Sequence, residues 1–205
     1  MKKLSVIAMM FLAAWTIQSC TDNNQDAIRS ANESNEAKLD STATTPGDVS
    51  ATTPATGTAS TVSEDDTKFS VEAASGGLME VQAGELAEKK AQNAKVKEYA
   101  AMLVKDHSKT NDELKALATS KNITLPSAPG EEHQKNIDKL AEKSGKEFDK
   151  DYIEHMISDH KTDIDAFEKA SANCKDPDLK AFATKTLPTL KSHLATAESI
   201  NKSLK

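Results

Sequence analysis

The segment Tyr152-Ile153-Glu154-His155-Met156-Ile157-Ser158-Asp159-His160-Lys161-Thr162-Asp163-Ile164-Asp165-Ala166-Phe167 decides the fold class. With Phe148 before it, the large apolar side chains at Tyr152, Met156, Ile164 and Phe167 recur at helical spacing, and His160 occupies the gap in that series. Steps of three and four keep side chains on one face of an α-helix and scatter them over both faces of a strand. The spacing therefore predicts a helix over about 146–172 with His160 in its inward stripe. Toward the C-terminus, Asn173 to Pro177 forms a turn. A helix over about 178–203 follows, with Leu179, Phe182, Leu187, Leu190, His193, Leu194, Ala197 and Ile200 on one side. Pro188 lies inside it and is expected to kink it, because proline removes a backbone donor and crowds the preceding turn. Toward the N-terminus, Ser144-Gly145 ends a short connecting helix over 131–143, and Pro126, Pro129 and Gly130 break the chain before it. Asn93 is placed to cap a helix over about 93–120 whose stripe holds Val96, Tyr99, Ala100, Leu103, His107, Leu114 and Leu117. A first helix over about 68–90 gathers Ala73, Gly77, Glu80, Gly84 and Ala87 on one face, small residues with one carboxylate among them. Four long amphipathic helices and one short connector predict an all-α four-helix bundle.

The composition agrees. Only 4% of the 205 residues are aromatic, which is thin for a sandwich or barrel. Lys and Arg total 26 against 32 Asp and Glu, a net charge of -6, and Arg29 is the single arginine. Nucleic acid is therefore not an expected partner, since phosphate contacts need clustered Lys and Arg. Direct binding to anionic lipid heads is disfavoured for the same reason. There is no Gly-x-Ser-x-Gly turn and no glycine-rich phosphate loop, so the chain does not announce an enzyme.

The first residues are a processing segment. Lys2 and Lys3 precede an apolar stretch from Leu4 to Ile17, short of the about 20 residues a membrane span needs. It ends in Ile17-Gln18-Ser19-Cys20, which resembles the lipobox of bacterial lipoproteins, with Gln18 a departure from the usual small residue. Residues 1–19 are then a lipoprotein signal peptide, and Cys20 receives the lipid that anchors the chain to a membrane. Thr21 is not the aspartate of inner-membrane retention, so the expected location is the outer membrane of the cell envelope, facing either side. Residues 20–66 hold the lipidated cysteine and an acidic tether rich in Thr, Ser and Ala. With no aromatic residue, that segment is expected to be disordered, because it has little to bury against its ordering entropy. The bundle domain is expected over 67–205.

Taken together, Glu80-Val81, Lys105-Asp106-His107-Ser108, Glu147-Phe148-Asp149, Tyr152-Ile153, Asp159-His160, Leu187-Pro188 and His193-Leu194 resemble a family of bacterial outer-membrane or periplasmic proteins. That family is known as domain of unknown function 4142 and has the ferritin-like fold. The resemblance covers about Lys68 to Ile200. The stretch 152–160 is also similar to a second ferritin-like envelope family linked to copper handling, in which Met and His of one helix serve soft metals. The resemblances imply fold and compartment; neither assigns a reaction. Asp106-His107 echoes Asp159-His160, and polar Thr110 and Asp163 stand three residues after each histidine. The echo suggests two hairpins related by a pseudo-twofold, as in ferritin-like bundles.

A di-iron bundle places glutamate three residues before its histidines. Here Val104, Ile157 and Leu190 hold those positions. What remains is one inward polar group per helix: Glu80, His107, His160 and His193. Three imidazoles and a carboxylate suit one Fe, Zn, Mn or Cu ion. Met156 and Met102 would lend sulfur character, and Asp163 is a secondary ligand or an orienting group. The alternative is a structural or protein-interaction module whose histidines form a hydrogen-bonded core. A metal-using oxidoreductase is a third reading. His133 and His155 are expected to face solvent. Cys174 is expected to be a loop thiol, unpaired because the sulfur of Cys20 carries lipid.

Overall fold

A computed structural model describes Gln25–Ala43 and residues 62–204. Six helices follow in order: α1 (Gln25–Ala43), α2 (Glu64–Lys90), α3 (Ala94–Ser120), α4 (Glu131–Glu142), α5 (Gly145–Asn173) and α6 (Pro177–Leu204). No strand occurs among the described residues. Their limits follow local chemistry. The Asn93 side chain accepts from the Lys95 N–H and caps α3 as expected. At α2 the Ser63 side chain accepts from the Asp66 N–H, and Glu64, Asp65 and Asp66 favour the positive end of the helix dipole. The helix therefore starts four residues earlier than its apolar pattern implies. α6 runs on through Pro188.

Contacts fix the directions. Glu80 meets His107 and Gly84 lies against Val104, so α2 and α3 are antiparallel. The Asp66 carboxylate accepts from the backbone N–H groups of Lys175 and Asp176, while Asp149 accepts from those of Gln92 and Asn93. α2 and α5 therefore also run antiparallel. Asp106 meets His193 and Glu113 meets Lys185, so α3 and α6 are antiparallel too. α3 and α5 must then point the same way. The chain between them, including α4, returns along the bundle as the single long crossover of a ferritin-like fold.

The buried apolar residues separate into two clusters. One holds Tyr99, Leu103, Phe148, Tyr152, Met156 and Ile200, and the other Leu114, Ile164, Phe167, Leu179, Phe182 and Leu190. On α3, α5 and α6 the residue between the clusters is a histidine, His107, His160 and His193 respectively. A polar layer thus crosses the middle of the bundle.

The small-residue face of α2 is the reason two helices can meet at that layer. A Cβ on Gly77 would collide with the Asn111 side chain. One on Gly84 would lie 2.7 Å from Val104 Cγ2 and 3.3 Å from the Ala100 carbonyl oxygen. Valine is stiff at χ1 and a helix carbonyl cannot move aside. Gly84→Ala should therefore lower stability by about 1 kcal/mol, since overpacking at roughly 1–3 kcal/mol outweighs the roughly 1 kcal/mol helix gain of alanine. A urea titration reads this as a lower midpoint at unchanged slope.

One expectation needs correction. Gln25–Ala43, assigned above to a disordered tether, is a helix lodged on the domain. Ala31 and Asn35 are buried. The Asn35 side chain donates to the Thr124 carbonyl and accepts from the Thr124 N–H, and Lys38 donates to the Asn122 carbonyl. Ile28 reaches Gly130, where a side chain would strike it. Polar anchoring on the crossover loop supplies what the segment lacks in large apolar groups. The last tether residues, 62–66, likewise lead into the first turn of α2, where Asp66 is buried, while the remainder of the tether, the signal segment and Cys20 lie outside the described residues. Among the described residues, no helix is long and apolar enough to cross a membrane.

Candidate metal centre

The helical period delivers Glu80 from α2, His107 from α3, His160 from α5 and His193 from α6 to one level of the bundle. Glu80 and His160 are 0% exposed, His193 2% and His107 5%. The three imidazole rings form a nearly equilateral triangle, with centroid separations of 5.2, 5.4 and 5.6 Å. One nitrogen from each lies within 4.8 Å of the others.

Each ring has one nitrogen beside a fixed acceptor and one nitrogen with nothing. His160 Nδ1 is 3.0 Å from the Met156 carbonyl oxygen. His193 Nε2 is 3.1 Å from Asp106 Oδ2. His107 Nδ1 is 2.6 Å from Glu80 Oε2, while Glu80 Oε1 is 3.3 Å from His160 Nδ1. These two contacts to Glu80 are close but not aligned as hydrogen bonds, so both Glu80 oxygens are unsatisfied. His107 Nε2, His160 Nε2 and His193 Nδ1 are buried and have no partner.

The electrostatics follow from burial. Desolvation penalises the imidazolium form, lowering His107 to about 4, His160 to about 3, and His193 in the same direction. The neighbouring imidazoles add to this at His160 and His193, and the Asp106 contact opposes it at His193. The same desolvation raises the carboxyls. Glu80 and Asp159 are held well above the carboxylate range, and Asp163 is pushed up to about 8 by burial and by Glu80. Burial thus favours the uncharged form of the imidazoles and of the carboxyls in this layer.

Several expectations change in detail. Met156 contributes its carbonyl to the site, while its side chain belongs to the apolar cluster with Tyr99 and Phe148. Met102 packs against that same cluster. Asp163 does border the site: it lines a cavity of about 20 Å³ together with Gly77, Glu80, His107 and Asn111. A space of that size holds about one water-sized guest. Two carboxylates were not singled out. Asp106 orients His193, and Asp159 joins Glu80 and His160 as a second group whose ligand atoms lie within 4.8 Å. The repeated Asp-His pair was their signal in the sequence. His133 and His155 do not face solvent freely: both are half-buried, and burial lowers the pKa of each. Cys174 is buried and free at the end of α5.

Against known proteins, the family model for Domain of unknown function (DUF4142) matches residues 51–200, and the chain belongs to that family. No curated protein matches the sequence. Among solved structures, a DUF305 fragment from Deinococcus radiodurans is similar, with a TM-score of 0.62 at 12% identity over 69% of this chain and 98% of that one. A DUF305 protein from Streptomyces coelicolor gives 0.59 at 12% identity, over 68% and 93%. CopM in its Cu(II)-bound form gives 0.60 at 16% identity, over 68% and 97%. At such identities these structures share the fold with this chain.

Proposed function

We propose that this member of the DUF4142 family is a lipid-anchored protein of the cell envelope that holds one divalent transition-metal ion at His107, His160 and His193. The observation that carries the reading is the set of three buried, unpartnered nitrogens, one per ring; the other nitrogen is hydrogen-bonded on His160 and His193 and lies 2.6 Å from Glu80 Oε2 on His107. Metal-bound histidines have that arrangement, since the outer partner fixes the tautomer and the ring angle. A hydrogen-bonded polar core instead satisfies its members, because a buried polar atom left alone costs about 1–3 kcal/mol. Glu80 is then the orienting carboxylate of His107 rather than a fourth ligand, and Asp106 has that role for His193. The ion would supply positive charge to a layer of carboxyls that burial now keeps protonated. Neutral imidazole donors suit copper and zinc best, and the Cu(II)-bound state of CopM, a structural neighbour, makes copper the first ion to test. The test is thermal melting. Saturating Cu²⁺ or Zn²⁺ should raise the melting temperature of the metal-free protein, and a chelator should reverse it.

The anchoring half of the proposal rests on Cys20 at the end of the apolar run. Only a thiol accepts the diacylglycerol, so Cys20→Ser should lose fatty-acid label and leave the membrane fraction. Equal labelling of the variant removes the lipoprotein reading. The outer membrane is the proposed site, on the strength of Thr21.

A further inference from the structure

A groove lies beside the small cavity at the histidine layer. It measures about 580 Å³ and runs between α2 and α5. Ala73, Asp163 and Phe167 line both this groove and the small cavity that holds Glu80 and His107. The two spaces therefore adjoin through a shared wall. Because α2 and α5 are antiparallel, the lysines of the groove, Lys68, Lys169 and Lys175, belong to its outer end near Ser63. There Lys68 is held by Glu64, and Asp66 is engaged by backbone N–H groups of the α5–α6 turn. Deeper in, the lining changes to Asp159 and Asp163.

These carboxylates have no structural employment. Asp159 Oδ2 is buried without a partner, and Asp159 shares with Glu80 and His160 a cluster of ligand atoms within 4.8 Å. Glu80, 0% exposed, presents two unsatisfied oxygens to the cavity that Asp163 also lines. The floor of the groove is bare where Asp163 sits: a Cβ on Gly76 would be 3.7 Å from Asp163 Oδ1. A leucine there would extend into the space that the carboxylate occupies.

We propose that Asp159 and Asp163 form an oxygen-donor transit site, through which a divalent cation passes from the α2–α5 groove past Glu80 to the three histidines. The proposal rests on the histidine site assigned above and adds its route of loading. Carboxylate oxygens accept a partly hydrated cation and release it readily, whereas three imidazoles hold a transition-metal ion more firmly. Oxygen donors outside and nitrogen donors inside give the transfer a direction.

The experiment is stopped-flow loading of the metal-free full chain with Co²⁺, followed by the visible absorption of the nitrogen-ligated ion. Asp159→Asn and Asp163→Asn keep side-chain size and replace the carboxyl group with an amide. Each should slow loading about tenfold or more, while the final absorption spectrum and the ion-to-protein ratio stay those of the wild type. Gly76→Leu should slow it as well, by filling the groove beside Asp163. If that variant fails to fold, the two asparagine variants decide alone. Wild-type rates in both asparagine variants overturn the transit site while leaving the histidine site standing. A wild type that takes up no ion overturns both.

Discussion

His160→Ala should erase the response of this protein to metal. His160 is fully buried, lies close to both of its histidine partners and to Glu80, and is the one ring that belongs to both groups of converging ligand atoms. In the wild type, free ion at about a thousand times its dissociation constant should add about 4 kcal/mol to stability, or a rise of roughly 10 °C in melting temperature for a domain of this size. The variant should show no measurable rise. In the absence of metal it should also be less stable than the wild type by about 1–3 kcal/mol, through the cavity left by the ring and the loss of its buried contacts. The two effects separate the readings. A hydrogen-bonded core predicts the loss of stability alone, with no metal response in either protein. A metal site predicts both.

The second large effect is an unusual pH dependence of the metal-free protein. The histidines have folded pKa values below their unfolded one, His107 at about 4 and His160 at about 3. Between those values and about 6.5 the unfolded chain binds more protons, so their contribution is present above pH about 6.5 and is lost as pH falls. The carboxyls behave oppositely. Asp163 at about 8, with Glu80 and Asp159 also raised, means that the folded chain binds more protons above about pH 4. Their contribution is present at low pH and is lost as pH rises through the folded value. From about pH 4 to 6.5 the two oppose each other. From about 6.5 to 8 only the carboxyls act, and each proton difference is worth about 1.4 kcal/mol per pH unit. The metal-free protein should therefore become less stable from pH 6.5 to 8. Over the same interval the stabilisation by metal should grow, because the charge of the bound ion favours loss of the neighbouring carboxyl protons. Urea midpoints with and without Zn²⁺ at four pH values check this. Stability of the metal-free protein that rises toward pH 8 contradicts the account.

The long helices were legible because their packing obeys one period. Tyr152, Met156, Ile164 and Phe167 face the core as their spacing dictates, and so does His160 between them. The period also explains what was not legible. Asp106 and Asp159 precede a stripe histidine by one residue, which turns them about 100° away from it on an isolated helix. In the bundle that sideways direction is a seam between helices, where Asp106 reaches His193 of α6 and Asp159 comes to Glu80 of α2. Met156 illustrates the converse. It shares the stripe with His160, yet one turn along α5 the neighbours are Tyr99, Leu103 and Phe148, so its sulfur serves packing. α1 escaped a periodicity reading because it holds on through Asn35 and Lys38 to a loop, and such polar anchoring leaves no apolar repeat.

Calorimetric titration of the chelator-stripped mature protein with Cu²⁺, repeated with His107, His160 and His193 each changed to alanine, tests the central claim most directly. The account predicts one tightly held ion per wild-type chain, with proton release at neutral pH, and loss of that binding in each of the three variants. A wild type that takes up no ion, or takes it up equally well without these histidines, contradicts it.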